Sequence, residues 1–265
     1  MEKMKLYWPL LSPSIQQGFG ANFVWHSRLN GGRHPEWDGK LFYGGVIPGL
    51  SGHNGLDMAG DMAKVYAAHA GKVRYFRQED GFMSIVYSAP DGTWGVEVIY
   101  GHLDRPLVEV GQEVSAGQLV AISDNRGPYT TGAHLHFMVF PLRPDHNGLL
   151  SRYDLDNGYG GAVDPTPYMV PWGVLAKATG ASQVYQLVGN TKRPIADKLA
   201  LFSIGASGYD PVIEVEPSQL NAFPSGKPVT YAYQDLTLTP EQVKDLMRTF
   251  TENPSEAQEI YGKYF

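Results

Sequence analysis

His134-Leu135-His136-Phe137-Met138-Val139-Phe140 opens by alternating imidazoles with large apolar side chains. A period of two is the signature of a β-strand, whose successive side chains point to opposite faces. On such a strand His134 and His136 share one face, while Leu135, Phe137 and Val139 point the other way into a core. Hydrophobes on one side thus hold imidazoles at an open surface on the other. Working outward, the residues from Gly127 to Gly132 read as a loop, and several neighbouring stretches carry strand patterns. These are Lys64 to Ala68, Gly71 to Phe76, Phe82 to Tyr87 and Val96 to Leu103, with Asp91-Gly92 making 82–102 a hairpin. In the last run Val96, Val98, Tyr100 and His102 fall on one face, so His102 is also expected to present its ring beside a sheet. Val108 to Ser123 reads as two short strands around a Ser115-Ala116-Gly117 turn. Strands dominate, and the fold class is mainly β.

Composition agrees. Gly 31 and Pro 19 in 265 residues, with Tyr 16 and Trp 5, suit short strands joined by many turns. A formal charge of -6, with acidic and basic residues interspersed, argues against nucleic acid as a partner, because phosphate binding needs a concentrated positive surface. The absence of cysteine excludes disulfides, thiolate zinc sites and a thiol nucleophile, and leaves histidine and carboxylate as possible metal ligands. No apolar run approaches the roughly 18 residues of a membrane span. The residues before Pro9 are too few and too polar for a secretory h-region, so no signal peptide is visible.

The chemistry lies in three short motifs: Gly52-His53-Asn54-Gly55-Leu56-Asp57, Tyr100-Gly101-His102-Leu103 and Thr131-Gly132-Ala133-His134-Leu135-His136-Phe137. His53 and Asp57 are four apart in a glycine-bearing segment, close enough for both to reach one ion. Two histidines and one aspartate make a three-ligand site with a fourth position for water, the arrangement of a catalytic zinc. Spacing alone does not say whether His134 or His136 is the ligand. There is no H-E-x-x-H helix and hence no glutamate base in the zincin manner.

In this order the motifs resemble those of the lysostaphin-type zinc endopeptidases of bacteria and phages, which cut the peptide part of peptidoglycan. The similarity begins at Ile15-Gln-Gln-Gly-Phe-Gly-Ala and continues through Val65-Tyr-Ala-Ala-His-Ala-Gly-Lys-Val and Val108-Glu-Val-Gly-Gln-Glu-Val-Ser-Ala-Gly-Gln. It closes at Val163-Asp164-Pro165. The resemblance implies that His53, Asp57 and His136 bind Zn2+ and that His102 and His134 form the non-ligand catalytic pair. It implies an antiparallel β-sheet peptidase domain with an open groove, a peptidoglycan stem or cross-link peptide as substrate, and a mechanism in which the imidazole pair replaces a glutamate base. Asn54, Tyr129, Thr130 and Thr131 lie near the motifs as candidate substrate contacts. Gly101 stands where alanine is usual in the family, a departure expected to matter little.

A peptidase domain is therefore expected over 1–170, ended by the prolines from Pro165 to Pro171, with 141–162 an exposed loop and 22–52 a long aromatic-bearing insertion that serves either as a groove wall or as a structural cover over one end of the sheet. Residues 171–265 read as a small α+β region, either a wall- or surface-attachment module or a cap on the peptidase. It includes a strand and turn from Val184 to Asn190, a short helix from Ile195 to Phe202, and two terminal helices beginning near Thr239 and Asn253. A monomer acting outside the cell, in the wall or periplasm, or encoded by a phage, is expected. The competing readings are a non-hydrolytic wall-binding or hydrolase-activating protein and a zinc peptidase of protein substrates.

Overall fold

A computed structural model describes residues 4–21, 50–127, 130 and 132–230. The 22–49 part of the insertion and the two terminal helices expected after Thr239 lie outside the described residues. The fold is mainly antiparallel β with a few short helices. The first half contains β1 (Ile15–Gln17), β2 (Leu56–Ala59), β3 (Lys64–Tyr66), β4 (Gly71–Arg77), β5 (Phe82–Ser88), β6 (Gly95–Gly101), β7 (Leu103–Pro106), β8 (Glu113–Val114), β9 (Leu119–Ser123), β10 (His134–Pro144) and β11 (Leu150–Arg152). After a 3₁₀ turn at Thr166–Tyr168 come β12 (Val174–Ala178), β13 (Tyr185–Val188), β14 (Thr191–Pro194), helix α1 (Lys198–Ser203), β15 (Ile213–Val215) and helix α2 (Pro217–Asn221).

The large sheet runs β1-β2-β10-β6-β5-β4-β8, with β11 hairpinned onto β10, and all of its pairs are antiparallel. One face of it is the core. Leu56, Met58, Ile85, Val98, Tyr100, Leu135, Phe137 and Val139 are buried there with Val65, Val120 and Ala121 of the small β3-β9-β7 sheet. Alternation along β10 makes this division of faces, as the period of two requires. The Tyr100 hydroxyl finds its partner within that core, accepting from the Ala68 N–H at 2.7 Å.

Two local expectations change. Residues 141–162 are not simply a loop: β10 extends to Pro144 and returns as β11. The turn is set by the Asp145 carboxylate, which accepts from the Asn147 and Leu149 N–H groups at 2.8 and 3.0 Å. The two strands expected around Ser115-Ala116-Gly117 are present as β8 and β9, in different sheets: β8 joins β4, while β9 lies between β3 and β7. Helix α1 starts later than Ile195, because Ile195 bridges to Val229 and Asp197 caps the helix by accepting from the Ala200 N–H at 2.8 Å.

Residues 174–220 build a second sheet, β14-β13-β12-β15, in which β12 and β15 are parallel. Its apolar side shares a cluster with the first half: Val174, Ala176, Leu187, Ile213 and Val215 pack with Tyr66 of β3, Trp8 and Leu119. Asp210 adds a polar tie, accepting from Tyr7 Oη at 2.7 Å and from the Ser207 N–H at 2.7 Å while pairing with Lys5. Its side chain is 3% exposed, so Asp210→Ala leaves several donors without their acceptor. The expected loss of stability is roughly 3 kcal/mol, measured by urea unfolding. Among the described residues no helix is long and apolar enough to cross a membrane.

Candidate metal centre

The pairing of β2 with β10 places Asp57 directly opposite His136, and β6 places Gly101 opposite His136 on the other side. Opposed residues of an antiparallel pair share a face, so the Asp57 and His136 side chains meet on the face away from the core. His53 precedes β2 and is fixed by its backbone: its N–H donates to Ala21 O at 2.9 Å and its carbonyl accepts from Gly20 N at 2.7 Å. Three ligand atoms converge as a result. His136 Nδ1 lies 2.7 Å from Asp57 Oδ1 and 3.0 Å from His53 Nε2, and His53 Nε2 lies 3.1 Å from Asp57 Oδ1.

Ligands of a tetrahedral zinc at about 2.0–2.1 Å stand about 3.3 Å apart, so this triangle fits a small cation with slight opening. Two imidazole nitrogens and a carboxylate are also the donor set that zinc accepts. The centre is nearly closed to solvent, the side-chain exposures being 3% for His53, 13% for Asp57 and 10% for His136. Burial alone would raise the Asp57 carboxyl, but the charges of His53 and His134 and hydrogen bonds from His134 and His136 hold it well below the usual carboxylate range.

Two further imidazoles border this triangle. His134 Nε2 is 3.5 Å from Asp57 Oδ1, and the His102 and His134 ring centroids are 4.6 Å apart. Backbone carbonyls orient three of the four rings. Nδ1 of His53 donates to Gly18 O at 3.0 Å, that of His102 to Arg126 O at 2.7 Å and that of His134 to Gly132 O at 2.7 Å. For His53 and His102 this puts the proton on Nδ1 and the lone pair on Nε2. His134 also turns Nε2 to Asp57 Oδ1, and although burial alone would lower its imidazole, the Asp57 charge and hydrogen bond raise it above the ordinary value. His136 is turned the other way and offers Nδ1. Burial, then the neighbouring His134 and His136, push the His102 imidazole down to about 3, so it is neutral at physiological pH.

His102 corrects the alternation read from the sequence. In the structure Val96, Val98 and Tyr100 face the core, so a continued strand would bury His102 there too. The strand instead ends at Gly101, and His102 takes a left-handed conformation with φ 61°, which is costly for a residue with a Cβ. That break turns its ring to the metal-ligand face, and the chain continues as β7 in the other sheet.

Asn54 is buried next to His53, and Thr130 Oγ1 lies 3.4 Å from His134 Nδ1. Tyr129 and Thr131 lie outside the described residues. The carbonyls of Gly18, Arg126 and Gly132 were not foreseeable from side-chain motifs, since any residue supplies one. Phe82 was also missed: its ring sits edge-on to His102 and His136, with centroids 5.6 and 6.3 Å away. Gly101 makes the room, because a Cβ there would come within 2.8 Å of the Phe82 ring. The departure from alanine therefore has a local consequence. Gly55 is tighter still, a Cβ meeting Phe137 O at 2.6 Å and His136 Cε1 at 2.9 Å. Gly55→Ala is expected to cost about 2 kcal/mol of stability and to weaken zinc binding by displacing His136, checked by thermal unfolding and zinc titration.

Comparison with known proteins places these residues in context. Residues 51–148 match the model of peptidase family M23. A 97-residue stretch is 36% identical to the peptidoglycan DD-endopeptidase ShyB of Vibrio cholerae, covering 36% of this chain and 21% of that protein. The chain thus spans about a fifth of the length of the curated relative it matches. Among solved structures, similarity is found to the catalytic domain of lysostaphin from Staphylococcus simulans, at 23% identity and a TM-score of 0.34, over 56% of this chain and 88% of that one. A zinc-containing peptidase from Vibrio cholerae matches at 27% identity and a TM-score of 0.34, over 59% and 38% of the two chains.

Proposed function

We propose that this chain, whose residues 51–148 belong to peptidase family M23, is a zinc-dependent endopeptidase that hydrolyses peptide bonds in the stem or cross-link of bacterial peptidoglycan. The observation that carries the proposal is the convergence of His53 Nε2, Asp57 Oδ1 and His136 Nδ1 within 3.1 Å of one another, beside two imidazoles whose Nε2 atoms are kept for proton transfer. The match of a 97-residue stretch to a peptidoglycan endopeptidase supports the substrate class.

His53, Asp57 and His136 would hold the ion. Zinc in such a site supplies Lewis acidity, polarising a carbonyl and bringing the pKa of water toward neutrality. The remaining work falls to His102 and His134. Their Nδ1–H bonds to Arg126 O and Gly132 O fix the aim of both rings, and an Nε2 that carries no proton can accept one from the attacking water. One of the two takes that proton, and the pair then hydrogen-bonds the developing oxyanion or protonates the leaving amine. The rings' 4.6 Å centroid separation lets one reacting centre touch both. Near-burial limits competing water at the pair, His102 being 5% exposed.

The test is the release of new amino groups from purified peptidoglycans of different cross-link chemistry, followed by mass analysis of the fragments. Cleavage abolished by a chelator and restored by zinc is the expected result. Zinc binding without cleavage of any wall would move a protein substrate or a non-hydrolytic wall-binding role to the front.

A further inference from the structure

The metal-ligand face of the large sheet carries a second polar feature, one strand length away. Glu97 lies opposite Phe140 on β10 and is fully buried, yet it is a carboxylate on the same face as His136. Ser84 Oγ donates to its Oε1 at 2.6 Å and Arg152 Nε to its Oε2 at 2.7 Å. One arginine and one hydroxyl therefore satisfy the carboxylate. A second arginine is present nonetheless: Arg74 Nη1 stands 3.6 Å from Glu97 Oε1, beyond hydrogen-bond distance, and its side chain is 58% exposed.

Arg74 is there by strand parity, two residues after Lys72, which lies in the cross-strand row of Glu97. The register of β4 against β5 then shifts between Val73 and Tyr75, an irregularity that brings Tyr75 onto the same face, where it packs beside Phe140. Lys72 lies in the same cross-strand row, opposite Val86, which itself opposes Glu97. Two guanidiniums thus face one carboxylate and the exposed Lys72 shares their row, so positive charge exceeds negative on this part of the surface. A purely structural ion pair needs neither the second guanidinium nor the lysine.

The geometry points to a subsite in which Arg74, with Arg152 and Lys72, binds a carboxylate carried by the substrate peptide. This rests on the peptidase reading above. His136 and Phe140 are four residues apart on β10, about 13 Å. Met138 and Phe140 themselves lie beneath Phe19 and Tyr159, so an extended peptide of the same rise passes over the half-buried Phe82 and Tyr75 instead, with the recognised carboxylate about four residues from the scissile bond. A guanidinium already steadied by the field of Glu97 suits planar carboxylate recognition.

The test uses cross-linked muropeptides released from a bacterial wall, with their carboxylates free or amidated by carbodiimide coupling. Binding is titrated calorimetrically to the zinc-loaded full chain in a His134→Ala background, which suppresses turnover, with and without Arg74→Gln. Arg74 is exposed and leaves the Glu97 bonds intact, whereas Arg152→Gln would strand a buried carboxylate. Amidation is expected to weaken binding about tenfold, and Arg74→Gln to weaken binding of the free-carboxylate peptides similarly and abolish the effect of amidation. Equal affinity for both peptides, or an amidation effect surviving in Arg74→Gln, would overturn the subsite. Parallel cleavage by the unmutated chain separates the two claims. Carboxylate-dependent binding without cleavage refutes the peptidase alone, and cleavage without that dependence refutes the subsite alone.

Discussion

His53→Ala and Asp57→Ala are each expected to take the zinc content of the purified protein from about one per chain to near none. Turnover of peptidoglycan should fall by about three orders of magnitude or more, equivalent to about 4 kcal/mol of transition-state stabilisation. The reason is geometric: each residue supplies one corner of a triangle whose edges are 2.7, 3.0 and 3.1 Å. Two corners cannot hold a four-coordinate cation rigidly. Because an ion that binds only the folded chain stabilises it by mass action, the rise in melting temperature on adding zinc should vanish in both variants. Metal analysis and thermal unfolding with and without zinc check this together.

His102→Ala and His134→Ala should separate what the first pair couples. Neither residue is a corner of the triangle, so zinc content and the zinc-dependent rise in melting temperature are expected to persist. Turnover should nevertheless fall by about 10²- to 10⁴-fold, the range for removing a positioned proton-transfer group. His134 is the sharper case, since its Nε2 stands 3.5 Å from Asp57 Oδ1, near the centre without joining it. Loss of zinc from His134→Ala with retention in His136→Ala would exchange the two roles.

Much of this was legible before any coordinates. The histidine–hydrophobe alternation of 134–139 states both the strand and its two faces, because side-chain direction in a strand depends only on parity. The glycine-flanked His53 and Asp57 announce a tight, ligand-bearing approach to β2. Parity could not reveal the pairing of Asp57 with His136, 79 positions apart, since register is a property of the assembled sheet. Nor did it survive at His102, where one left-handed residue reverses the expected face. The same limit hid Tyr75, which an irregularity in β4 brings onto the face of Glu97 and Phe140. The site is thus written in the sequence as residue types and strand parity, and is completed by breaks in that parity.

The most direct test is to strip the chain of metal, titrate zinc back and follow amino-group release from peptidoglycan against zinc bound per chain. Turnover rising linearly and reaching its plateau at one equivalent is the predicted result. Full turnover in the metal-free chain, or none at full occupancy, would contradict a single zinc centre at His53, Asp57 and His136 as the seat of peptide-bond hydrolysis.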